Sequence, residues 1–336
     1  MSMRVLVTGA SGLVGHEVVD LLRARGMDVV GASRGRSDAA GATVRWDMSR
    51  DRAPADLAGP WDVIVNSAAD TRWTMSAAEA VTANLDSVTA LRPLIGPDTH
   101  LIQISTAYAT GLRGDVESDD PADYRNTYEW SKAAAERATR DLAARVSVIR
   151  PPLIIGRRED GRAQRFSGMY TILRGMASSV VPAVVGFPDS YFDVIPVDDL
   201  AALTAKVADS GPSGVLTLAG GASAMTFPEA LTIMVDSLNR WRADRDIPAI
   251  EQPKIIDPER WERFMWPFAK QHMSPRQVRV LELLSQFHPY MVIRTPLAPD
   301  HVVRDMGEPL SRSVSYWADA NTPLAEQRPK PWKAMA

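Results

Sequence analysis

Short apolar runs alternate with amphipathic stretches along the first half of the chain. Runs at residues 4–7, 28–32, 43–46, 63–65, 101–105 and 146–149 predict strands. Between the first two, Val18, Val19, Leu21 and Leu22 recur at helical spacing, and Gly26 stands where a helix C-cap would. Helical stretches separate most of the other runs. Strands that alternate with helices imply a parallel sheet covered on both faces, so the expected fold class is α/β with a doubly wound sheet. After Arg150 the texture changes. Prolines at 151 and 152 break the pattern, and Pro, Met and Trp become frequent. Residues 194–196 and 215–218 still read as strands, and 262–269 and 277–287 as helices. The expectation is a sheet domain over 1–150 with later strands from about 190–220. A smaller, mainly helical lobe would take 151–190 and 221–320, followed by a polar, loosely ordered tail at 321–336.

The first strand runs into the segment TGASGLVG at residues 8–15. A pyrophosphate needs backbone N–H groups aimed at it and no side chains in the way. A strand, a glycine turn and a helix N-terminus supply both, and the helix dipole favours the negative charge. Gly9, Gly12 and Gly15, with Ser11, Leu13 and Val14 between and beside them, are therefore candidates to hold a dinucleotide. Their spacing is Gly-x-x-Gly-x-x-Gly, not the commoner Gly-x-Gly-x-x-Gly. A plain strand-to-helix turn is the alternative. An acid at the end of the second strand would accept from the adenosine ribose. This chain has Ser33, Arg34 and Arg36 there, and no carboxylate until Asp38. Those residues suit a 2′-phosphate and predict NADP(H), against the plainer alternative of solvated surface arginines.

Asn126 followed by Glu129 predicts a helix start, and Tyr128 and Lys132 then share one helix face. A free tyrosine, with a pKa of about 10, is a poor proton shuttle at neutral pH. A lysine cation held close favours the phenolate and lowers that value. The pair is common by chance, and its force comes from following the glycine turn in a doubly wound pattern.

Composition removes several other chemistries. Apolar residues are 45% and charged residues 24% of 336, with a formal charge of −3, so nothing favours nucleic acid or an anionic membrane. Absence of cysteine excludes thiolate catalysis and disulfides. The histidines at 16, 100, 272, 288 and 301 lack metal-ligand spacing, so no metal is expected. The chain's start lacks a secretory pattern and no run is long enough to span a bilayer, so a cytoplasmic location is the default expectation. The aromatic stretch at 261–268 would pack on the sheet domain, or alternatively line a pocket or touch a membrane.

Taken together, these pieces resemble the extended short-chain dehydrogenase/reductases over most of the first 220 residues. The matching segments are TGASGLVG (8–15), Asp47 after the third strand, NSAA (66–69), Ser105 with Thr106, Tyr128 with Lys132, RPPLIIG (150–156) and VIPVDDL (194–200). AADTRW (68–73), Ala83 with Asn84, and STAYATG (105–111) are similar to the thioester reductase and fatty acyl-CoA reductase branch, the male-sterility type of NAD-binding domain. The resemblance implies a Rossmann sheet and a site residue by residue. Tyr128 would protonate the carbonyl oxygen, Lys132 would tune it and hold the nicotinamide ribose, and Thr106 would hydrogen-bond the carbonyl, with Ser105 as its substitute if the register is off by one. Asp47 and Met48 would meet the adenine. Ser67, Ala68, Ala69 and Leu153 would line the cofactor, Asn84 would hold a helix and a relay water, and Pro151 and Pro152 would lie near the nicotinamide. Asp198 and Asp199 are helix-cap residues only. The implied activity is NADPH-dependent reduction of a carbonyl, first of all reductive release of an acyl thioester, brought by coenzyme A or an acyl carrier protein, to an aldehyde or an alcohol. The alternatives are a ketoreductase, a sugar-nucleotide epimerase or dehydratase, and a non-catalytic dinucleotide sensor. A monomer and a homodimer are both compatible with the family.

Overall fold

The computed structural model describes residues 2–35, 42–178, 183–272 and 275–328. They divide into two units. The first is drawn from the chain up to Pro152, from Val197–Ala219 and from Pro299–His301; the rest form the second.

In the first unit the order is β1 (Arg4–Thr8), α1 (Leu13–Ala24), β2 (Asp28–Ser33), β3 (Thr43–Arg45), β4 (Val63–Asn66), α2 (Ala77–Ala80), α3 (Asp86–Thr89), β5 (His100–Ile104), α4 (Thr127–Arg140) and β6 (Arg145–Arg150). The second unit contributes β7 (Leu153–Ile155), α5 (Met169–Ala177), β8 (Ala183–Val185), β9 (Tyr191–Phe192) and β10 (Val194–Pro196). The chain returns to the first unit for α6 (Val197–Ser210) and β11 (Gly214–Ala219). It then leaves for β12 (Met225–Thr226), α7 (Phe227–Ala243), β13 (Lys254–Ile256), α8 (Pro258–Arg260), α9 (Trp266–His272) and α10 (Pro275–Ser285). It ends with β14 (His301–Val302), α11 (Gly307–Ala320) and α12 (Thr322–Ala325).

The main sheet has eight strands in the order β14-β11-β6-β5-β4-β1-β2-β3. Every pairing from β11 to β3 is parallel. Strands covered on both faces should be apolar throughout, and Val5, Leu6, Val7, Ile64, Val65, Leu101 and Ile102 are essentially inaccessible to solvent. The order reverses between β1 and β4. That switch point opens a crevice at the carboxyl ends of the strands, where ligands of such sheets bind.

Two expectations are corrected here. Val194–Pro196 is a strand, but it pairs with Leu153–Ile155 and not with the main sheet. The start of the tail is also ordered: α12 buries Ala325, and the buried Arg242 donates to the carbonyls of Pro248, Ala325 and Gln327. Arg242 on α7 supplies the donors that those carbonyls need, which polar composition alone did not reveal. Residues 329–336 lie outside the described residues. The aromatic stretch is split by a π-helical turn at Trp261–Met265. Trp261 is turned inward and stacks on Trp266 at 6.0 Å, while Phe264 and Phe268 stay exposed.

Candidate functional site

Parallel strands end on the same edge of their sheet, so the segments following β1 to β6 gather at one rim. The turn after β1 is built around what is missing. Gly9 has φ +70, and a Cβ on it would lie 2.8 Å from the Ala68 nitrogen. A Cβ on Gly15 would sit 2.2 Å from the Gly9 carbonyl oxygen and 2.7 Å from Ser67 Oγ. Gly12 donates to the Gly9 carbonyl at 2.8 Å and serves as N-cap of α1 without a side-chain cap, and no acid stands in the first turn. Among the described residues, neither the N-cap nor a first-turn acid thus supplies a side-chain acceptor to the first N–H groups of α1, which is the condition for binding a phosphate there. Ser11 is exposed, and Leu13 and Val14 are half-buried beside it. Ser67 Oγ donates to the Thr8 carbonyl at 2.6 Å and ties the end of β4 to the turn.

Arg34 follows β2 and is exposed, while Ser33 before it is buried. Arg36 lies outside the described residues. The Ser49 hydroxyl and N–H, then the charges of Arg50 and Arg34, hold the Asp47 carboxyl below its usual value against a desolvation effect. Burial pushes the Asp70 carboxyl up, but its contact with Arg72 at 2.8 Å, helped by Arg34, wins and lowers it. Arg34 therefore projects its field over the rim after both β3 and β4. Met48 is buried next to Asp47.

The segment after β4 is pinned by Asn84. Its Oδ1 accepts from the Asp70 N–H at 2.8 Å, and its Nδ2 donates to the Asp70 carbonyl at 3.0 Å and to Ser131 Oγ at 2.9 Å. Asn84 lies in a π-helical turn, Val81–Leu85, between α2 and α3. Ser131 in turn donates to the Tyr128 carbonyl at 2.8 Å. One amide thus joins the loop bearing Ala68 and Ala69 to the helix bearing Tyr128 and Lys132.

Asn126 caps α4 as expected, accepting from the Glu129 N–H at 3.0 Å. Lys132 is buried, and its Nζ donates to the Ile104 carbonyl at 2.7 Å. Burial lowers the Lys132 ammonium to about 8, with the Glu136 carboxylate opposing the fall. The expected lowering of Tyr128 is not found. Burial, then the neighbouring Glu129 carboxylate, hold the Tyr128 phenol above its ordinary value. Ser105 and Thr106 follow β5 and differ in their commitments. Ser105 Oγ donates to the Glu136 carboxylate, whereas Thr106 Oγ1 accepts a long 3.4 Å bond from the Tyr108 N–H. Pro151 follows β6 and accepts from the Ala107 N–H at 2.8 Å. Leu153 begins β7 in the second unit.

Sequence reasoning missed Glu136. It is 1% exposed, and Arg150 Nε and Nη2 donate to its two oxygens at 3.0 and 2.6 Å. It lies one helical step beyond Lys132 on the face that already carries Tyr128, and that spacing was the available signal. It also missed Gln103, which is fully buried on β5.

Among the described residues, no helix is long and apolar enough to cross a membrane. The family model described as "Male sterility protein" matches residues 49–204. A dTDP-4-dehydrorhamnose reductase of Streptomyces griseus is 35% identical over 151 residues, which are 41% of this chain and 45% of that protein. The chain thus spans less than half of that relative. Another dTDP-4-dehydrorhamnose reductase, from Mycolicibacterium smegmatis, is 27% identical over 245 residues, 68% of each protein. Among solved structures, the terminal R domain from the myxalamid PKS-NRPS biosynthetic pathway superposes with a TM-score of 0.68 at 17% identity. That superposition covers 98% of this chain and 93% of the domain, and it is a likeness of fold.

Proposed function

We propose, for a chain that belongs to the extended short-chain dehydrogenase/reductases, an NADP(H)-dependent reduction of a carbonyl, with an acyl thioester as substrate. The observation that carries this reading is the rim itself. A glycine cradle that admits no Cβ and a helix face bearing Tyr128 and Lys132 belong to one sheet edge. When bound, the nicotinamide supplies hydride to the carbonyl carbon. Gly9 to Gly15 receive the pyrophosphate on the uncapped N–H groups of α1. Arg34 pairs with the 2′-phosphate, and Lys132 holds the nicotinamide ribose. Thr106 and Tyr128 donate to the carbonyl oxygen, and Tyr128 surrenders its proton as negative charge develops there. A phenol held above its ordinary value is fully protonated at neutral pH, which suits an acid. With a thioester the product is a thiohemiacetal, which loses thiol as its C–S bond breaks and leaves an aldehyde. The thioester would arrive on coenzyme A or on a separate acyl carrier protein.

Incubation with NADPH and acyl thioesters should yield free thiol, with one NADP⁺ formed per aldehyde or two per alcohol. No thiol release from any coenzyme A or carrier-linked thioester would sink the thioester reading. The two dTDP-4-dehydrorhamnose reductases favour a second reading, reduction of a keto group on a nucleotide-linked sugar. Consumption of NADPH with such a ketone and not with thioesters would select it. In either case Arg34→Asp should weaken NADPH binding by about 10- to 100-fold, as expected for losing a charge-assisted contact to phosphate. NADH binding should change little. Fluorescence titration of the two cofactors checks this, and equal losses for both would remove Arg34 from 2′-phosphate recognition.

A further inference from the structure

Four buried polar groups form a line across the strand ends of the first unit. Thr8 Oγ1 donates to Asn66 Oδ1 at 2.6 Å. Asn66 Nδ2 donates to Gln103 Oε1 at 2.8 Å, and Gln103 Nε2 donates to the Ile104 carbonyl at 3.0 Å. Thr8, Asn66 and Gln103 are each 0% exposed. Every donor points the same way, from the residue that opens the glycine turn toward β5. The line ends on the oxygen that also accepts from Lys132 Nζ at 2.7 Å.

That shared acceptor has a structural cause. β4 pairs with β5 as far as Asn66 opposite Gln103. The next residue after Asn66 that would face β5 is Ala68, which lies past the end of β4. The Ile104 carbonyl is left at the end of the ladder, and side chains take its lone pairs. Two donors on one carbonyl oxygen compete, because each draws electron density from the other. The upstream bonds strengthen the Gln103 donor, since donors in series polarise one another.

We propose that Gln103 is a positioning residue that shares the Ile104 carbonyl with Lys132 and so limits how firmly that carbonyl holds the lysine back from the dinucleotide. The inference rests on the reading of Lys132 as the ribose-binding lysine. A lysine clamped on a backbone oxygen has fewer N–H groups to offer a ribose. A second donor on that oxygen loosens the clamp without exposing it to water. Among the described residues, the charged and titratable groups are Tyr128, Glu129 and Glu136 on α4 itself and Arg150 on β6, paired with Glu136; the acids of α2 and α3, Glu79 and Asp86, are exposed, and near Lys132 β5 and the Val81–Leu85 turn bring carbonyl, hydroxyl and amide groups. Among charged groups, Glu136 is the one whose field raises Lys132.

The test follows the Lys132 ammonium directly. The chain has six lysines, so protein labelled with ¹³C at lysine Cε gives a short spectrum, and Lys132→Arg identifies the Lys132 signal. The wild-type midpoint is expected near 8. Gln103→Met keeps the volume and removes the competing donor, and the midpoint should rise by about half to one pH unit as the carbonyl binds the ammonium more firmly. Gln103→Leu likewise removes the donor and adds no charge, and its midpoint should rise as far. NADPH should bind both variants about three- to tenfold more weakly, by fluorescence titration. A residue that merely stabilises the fold would leave the midpoint unmoved in folded protein, and an unmoved or lowered midpoint in both variants overturns the proposal. The titration needs no turnover. A raised midpoint in a protein that reduces no carbonyl would uphold the sharing of the oxygen and defeat the reductase reading.

Discussion

Tyr128→Phe is expected to cut kcat by about 10³-fold, roughly 4 kcal/mol of transition-state stabilisation, while NADPH binds as before. The phenol oxygen is the sole group that the substitution removes. The ring stays, and so do the helix cap at Asn126 and the Ser131 bond to the Tyr128 carbonyl, because neither involves the lost hydroxyl. The proton needed by the developing alkoxide must then come from Thr106 or from water. Steady-state kinetics paired with a fluorescence titration of NADPH separates the two effects. A loss of less than tenfold would take Tyr128 out of the chemistry, and a parallel loss of NADPH affinity would mean that the ring and not the proton was at issue.

The largest expected effect on stability belongs to Glu136. Its carboxylate is buried with the Arg150 guanidinium and the Ser105 hydroxyl as partners. Glu136→Ala leaves a mostly buried cation without a counter-charge, and such a loss costs about 3–5 kcal/mol. Replacing both partners by apolar residues, Glu136→Leu with Arg150→Met, removes the desolvation cost of both charges and should return most of that loss. Thermal unfolding of the single and double variants measures it. If the double variant is no better than the single one, the ion pair is not what holds α4 to the ends of β5 and β6.

The contrast between these residues shows where sequence was readable. Gly9, Gly12 and Gly15 stand in a local pattern whose purpose is steric, and Tyr128 and Lys132 share a face by helical period alone. Both signals live within one turn or one helix. Glu136 obeyed the same period, but its meaning depends on Arg150 and Ser105, which arrive from two other strands. Gln103 looked like one more residue of an apolar strand, and only pairing of β4 with β5 puts it between Asn66 and the Ile104 carbonyl. The strand Val194–Pro196 was visible from its apolar run, but a run does not name its partner, and Leu153–Ile155 took it. At 262–269 the expectation is a plain helix, and the extra residue of the π-turn at Trp261–Met265 shifts which aromatics face inward. The expectation for Tyr128 fails for a different reason: a lysine charge is visible in the helical spacing, whereas the burial of the phenol is not, and burial with the Glu129 carboxylate outweighs the lysine.

The discontinuity of the first unit bears on how the chain reaches this structure during synthesis. β6 emerges from the ribosome with one edge paired to β5, and its other neighbour, β11, starts only at Gly214. Until then β6 offers a row of unpaired backbone groups flanked by apolar side chains, the kind of edge that invites pairing with another chain. The intervening residues must be made, and those of the second unit set aside, before the edge closes. A nascent chain that ends between β6 and β11 therefore carries an edge open to misassembly.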